Sequence, residues 1–61
     1  MERDLLYQEY FDMYDSYLDK KIRLIVHDAV YPDDDSVKYG WIDLEFEKVN
    51  LDFLRAILYD L

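Results

Sequence analysis

Apolar residues recur along this chain with two rhythms, and each rhythm predicts a different element. Over residues 3–18, Leu6, Tyr10, Met13, Tyr14 and Tyr17 repeat at helical spacing, with Tyr7, Phe11 and Leu18 widening the stripe. Glu2, Asp4, Gln8, Glu9, Asp12, Asp15 and Ser16 fill the other side, and Leu5 is the one apolar intruder there. The pattern predicts an amphipathic helix. "KIRLIVHD", Lys21 to Asp28, is rich in β-branched residues and reads as a strand, with Ile22, Leu24 and Val26 on one face. "AVYPDDDS" follows, and its Pro and Asp cluster marks a turn or loop.

The rhythm then changes to strict alternation. In "WIDLEFE", Ile42, Leu44 and Phe46 alternate with Asp43, Glu45 and Glu47, and "VKYGWIDLEFEKV" reads as a second, longer strand. Val37, Tyr39 and Trp41 have the opposite parity, so a bulge near Gly40 would bring both sets onto one face. Without it, Tyr39 and Trp41 stay on the outer face. A C-terminal helix is expected to begin at Asn50 as N-cap, with Val49 stapling onto Leu54 and Asp52 in the first turn. Leu51, Leu54, Leu58 and Leu61 would form its buried stripe, with Phe53 and Ile57 at the margin.

The expected fold is therefore α+β: one small two-layer domain over residues 1–61, helix–β-hairpin–helix, with antiparallel strands. Two strands alone are not stable in water, so the helices would cover one sheet face. The two free edges suggest a homodimer whose strands join into a four-stranded sheet.

Composition narrows the class. A chain of 61 residues has little core to bury, and with no cysteine it has no disulfide to compensate. The lack of cysteine in so small a domain, and an acidic start with no uninterrupted apolar run, point to the cytoplasm, the host's if the source is viral. Hydrophobic residues make up 52%, which places the chain among folded proteins. The net charge of −8 argues against direct binding to nucleic acid or an anionic membrane and in favour of a basic protein partner.

Candidate chemistry is sparse, and a non-enzymatic protein is expected, without metal or cofactor. His27 and Asp28 would point to opposite faces of a strand, and neither Ser16 nor Ser36 is placed beside the imidazole. The acids of "PDDD" are consecutive, which does not suit a calcium loop with its alternate ligands and sixth-position Gly. A single Gly rules out the Walker and Rossmann patterns.

The acids carry the functional expectation. On a strand, Asp43, Glu45 and Glu47 would project from one face about 6.8 Å apart, roughly twice the 3.4 Å phosphate spacing of a DNA strand. Asp4, Gln8, Asp12 and Asp15 climb one side of the first helix with no base among them. The leading expectation is a small acidic inhibitor, of phage or mobile-element type, that mimics the DNA backbone and occupies a basic nucleic-acid-binding protein. Asp4, Asp12, Asp15, Asp43, Glu45 and Glu47 would face the partner, with Tyr39 and Trp41 as apolar anchors. The alternative is a structural interaction module, a homo-oligomer or accessory subunit whose acids only confer solubility. A third is an antitoxin-like neutraliser of a basic toxin. Trp41 discriminates: buried, it belongs to a core beside a bulge, and exposed beside carboxylates it marks a docking site.

Overall fold

The structure, a computed structural model in which residues 2–60 are described, is a hairpin of two long helices. Helix α1 spans Glu2–Val30 and helix α2 spans Ser36–Asp60. They lie side by side in a rod of 47 × 15 × 11 Å. The described residues contain no strand, and this overturns the α+β expectation. The segment 21–28 continues α1, and the segment 37–49 is the first half of α2. Asn50 is an exposed mid-helix residue rather than an N-cap, and Val49 is exposed rather than stapled. Without strands among the described residues there are no sheet edges for the expected sheet-completing dimer to join.

The physical reason lies in how α2 distributes its apolar residues. Val37, Leu44, Leu51 and Leu58 recur every seven residues and are the buried residues of this helix. A seven-residue repeat keeps one seam facing a partner helix. A second row, Tyr39, Ile42, Phe46, Val49 and Phe53, steps by three and four along the other side and is exposed. Where the two rows interleave, they counterfeit a strand. Ile42 and Phe46 are four apart on the outer row, while Leu44 between them belongs to the inner one. Leu44 is 5% exposed and Phe46 is 66% exposed, so the three never share a face.

Local signals fix the ends. Pro32 lacks an amide hydrogen and disfavours helix for the residue before it, so α1 stops at Val30 and the chain turns through residues 31–35. The amide of Tyr31 still reaches the His27 carbonyl at 2.7 Å. Helix α2 then starts behind three Asp residues, which suit the positive end of a helix dipole. The Asp34 and Asp35 carbonyls accept the Val37 and Lys38 amides, each at 3.2 Å, and the Asp34 carboxylate accepts the Ser36 amide at 2.9 Å.

The helices meet along a narrow seam. Tyr17, Leu44 and Leu51 form its centre, with Tyr10 and Leu24 packed against them. Gly40 faces Leu24 of α1: a Cβ there would lie 2.9 Å from Leu24 Cδ1. Glycine in mid-helix costs about 1 kcal/mol relative to alanine, and here its missing side chain makes room for Leu24. The stripe expected on the first helix is mostly uncovered. Tyr17 is buried and Tyr7 and Tyr10 are half-buried, but Leu6, Phe11, Met13, Tyr14 and Leu18 are exposed. On α2, Leu51 and Leu58 are buried and Leu54 is half-buried, while Phe53 and Ile57 are exposed. Leu61 lies outside the described residues.

Candidate interaction surface

A two-helix hairpin has one internal seam, so each helix turns most of its circumference outward. Among the described residues nineteen large apolar side chains are exposed, against five that are buried. Soluble monomers rarely leave so much apolar surface contiguous. The exposed residues are ordered into stripes. On α2, Tyr39, Ile42, Phe46, Val49 and Phe53 form an unbroken row that is between 48% and 69% exposed. Wound at 3.5 residues per turn, its two columns lie roughly 150° to either side of the inner row, so the row as a whole stands at the back of the hairpin. On α1, Phe11, Leu18, Ile22 and Ile25 make a second exposed row, interrupted by Asp15. At the open end of the hairpin Tyr7, Tyr10, Phe11 and Tyr14 stand in contact along α1, with ring centroids 5.6 to 6.5 Å apart. Together with Arg55, Leu58 and Tyr59 they line an aromatic groove.

The residues expected to bind a partner are scattered over this surface. Asp4 and Asp15 are exposed on α1, and Asp12 accepts a hydrogen bond from Gln8 at 3.1 Å. Asp12 and Glu47 line one groove between the helices, with Lys20 alongside. There Lys20 Nζ lies 2.9 Å from Glu47 Oε1, the one Lys–carboxylate bridge across the hairpin among the described residues. The strand rail is gone. Asp43 and Glu47 are one helical turn apart on the same side, whereas Glu45 is rotated well away from both. A phosphate-like spacing of Asp43, Glu45 and Glu47 is therefore not available.

Tyr39 belongs to the outer row and is 69% exposed. Trp41 does not. It stands at the loop end, 37% exposed, in a groove it shares with Asp28, Asp33, Asp34, Asp35 and Lys38, and with Glu45 as its neighbour one turn on. There is no bulge beside it among the described residues, and the carboxylates around it are chiefly those of the loop, with Glu45 the one member of the Asp43, Glu45, Glu47 set close by. Asp4, near the open end, and Trp41, near the loop, lie towards opposite ends of the rod.

A clasp that the strand expectation does not foresee closes the loop. His27 Nε2 donates to Asp34 Oδ2 at 2.7 Å, and Tyr31 packs on the imidazole with ring centroids 5.0 Å apart. The His27 hydrogen bond, followed by hydrogen bonds from Ser36, holds the Asp34 carboxyl at about 2, below its ordinary 3.8. Ser36, His27 and Asp34 are thus neighbours, but the carboxylate stands between the serine and the histidine. In nucleophilic triads the imidazole takes that middle place. This arrangement ties α1 to the start of α2. It was detectable only on a helical reading, in which His27 sits in the last turn before a short acidic loop. Among the described residues no three potential metal ligands gather, and no helix is long and apolar enough to cross a membrane.

Comparison with known proteins adds no relative: no family model matches the chain, and neither a curated protein nor a solved structure does.

Proposed function

We propose that this chain is a non-enzymatic interaction module that acts by packing its uncovered helical faces against other helices. The observation that carries the reading is the outer row of α2, five large apolar side chains at heptad spacing with nothing of their own chain to cover them. Three of the five are Tyr or Phe, residue types enriched in protein contacts. The short inner seam adds support, since a chain this small gains from burying a second face. The acids then keep the assembly dispersed. A cytoplasmic setting goes with the absence of cysteine. Sedimentation of the purified chain, with and without extract of its native host, tests this. Complexes that persist in high salt are expected, because apolar contacts are not screened. A chain that stays monomeric and binds nothing would end the reading.

A second reading, the acidic inhibitor of a basic nucleic-acid-binding protein, now rests on α1 alone. Asp4, Asp12, Asp15 and Asp19 follow one another at helical spacing, and of these Asp19 is paired, with Arg23 at 3.1 Å. That reading calls for binding that weakens steeply with salt and competes with DNA. Converting Asp4, Asp12 and Asp15 to Asn should then abolish it.

A further inference from the structure

We infer that the outer row of α2 is the contact between two copies of this chain, and that the two α2 helices run parallel across it. The inference rests on the interaction-module reading and names its partner.

The row has the geometry of a coiled-coil seam. Tyr39, Phe46 and Phe53 take one core position of the heptad, and Ile42, Val49 and Ala56 take the other. The seam from 39 to 56 is about 25 Å long. The corresponding row on α1 is broken by Asp15, so α2 offers the continuous surface. The hairpin itself leaves the need: among the described residues no side chain falls below 2% exposure, so even its own seam is incompletely covered.

The flanking residues choose the second copy and its direction. Lys38, Glu45 and Asp52 precede successive residues of the first core set, and Asp43, Asn50 and Ile57 follow those of the second. In a parallel pair, each residue of the first flank meets the one five positions further along on the other helix. Lys38 then faces Asp43 of the second copy, Glu45 faces Asn50, and Asp52 faces Ile57. No like charges oppose each other, and the twofold axis makes the Lys38–Asp43 attraction twice. In the antiparallel arrangement that stacks the same core layers, Glu45 faces Asp52, also twice. Lys38 is available for the parallel contact, since its own-chain partner Asp35 is 4.0 Å away and both side chains are more than four-fifths exposed.

The absence of cysteine makes the test direct. Tyr39→Cys and Ala56→Cys variants are equilibrated in a glutathione redox buffer, alone and mixed. Parallel pairing is expected to trap 39 with 39 and 56 with 56. Trapping of 39 with 56 alone means antiparallel pairing, because like positions would then be about 25 Å apart; that result overturns the inference and leaves the interaction module standing. A charge exchange supplies the second measurement on surface positions that do not threaten the fold. Lys38→Glu should raise the dimer dissociation constant roughly three- to tenfold, and adding Asp43→Lys should restore it. Dimerisation indifferent to both changes, or a chain that is monomeric alone and binds only a foreign helix, also overturns the inference. A monomer that binds nothing ends the interaction-module reading itself.

Discussion

The two faces of α2 are both apolar and have opposite fates. The inner face is Val37, Leu44, Leu51 and Leu58, all aliphatic, closed by Gly40 against Leu24. The outer face is richer in rings, with Tyr39, Phe46 and Phe53, and stays in solvent. Compact aliphatic side chains and a glycine allow two helices of one chain to come close. Large rings on an open face present more area per residue than an internal seam this narrow can use. Burial here follows from where a second helix is tethered, and hydrophobicity alone does not decide it.

This contrast is most sharply tested by truncation on each face. Leu51 is the most buried side chain, at 3% exposure, and Leu51→Ala is expected to cost about 2–5 kcal/mol, enough to melt a hairpin this small. The loss would be read as the far-ultraviolet dichroism of the dilute chain. Phe53→Ala on the outer face should change the same signal by less than about 0.5 kcal/mol in dilute solution while weakening association. Equal losses from the two would break the distinction. Next in size, Gly40→Leu should force Leu24 aside and cost roughly 1–3 kcal/mol by overpacking, measured by urea denaturation. An unchanged midpoint would mean that the close approach does not matter.

Smaller effects are expected at the polar contacts. Lys20→Met removes the bridge to Glu47, whose side chains are 56% and 37% exposed, and should cost no more than about 1 kcal/mol, fading in high salt. Least of all, acidification should loosen the loop end. The Asp34 carboxyl is held at about 2 in the fold against an ordinary 3.8, so its contribution is present above about pH 4 and drains away as the pH falls towards 2. The Ser36 amide resonance should follow that titration, and Asp34→Asn should abolish it.

How much of this was legible in the sequence depended on which residues were read together. Residues 3–18 carry a helical stripe that falls inside α1, and the Pro–Asp cluster falls on the connection. The inner repeat was also present in the letters, since Val37, Leu44, Leu51 and Leu58 are seven apart. Strand-like alternation around the first two and a helix-start signal before the last two mask it. Alternation in "WIDLEFE" and β-branched residues in "KIRLIVHD" are local signals, whereas a helix with two apolar sides is recognised only over several turns. Its two stripes largely cancel in any one-faced measure of amphipathicity. Among the candidate site residues, Tyr39 does lie on an open apolar row. The grouping of Asp43, Glu45 and Glu47 depended on strand geometry and could not survive a helix. The partner of His27 was unreadable until residues 27 and 34 stood on either side of one short turn.

The short connection also sets the order in which the hairpin assembles. Residues 31–35 hold the ends of the two helices together, so the first contacts, His27 with Asp34 and Leu24 with Gly40, close only a small loop and cost little chain entropy. Once they form, Tyr17 with Leu44 and Leu51 closes over roughly the next three turns, and Tyr7 with the Leu58 carbonyl comes last. Assembly of this kind is a zipper that starts at the clasp and is fast because every step is local to the one before. Opening runs the other way. The amides around Tyr7 and Leu58 should exchange first, and those beside Gly40 last.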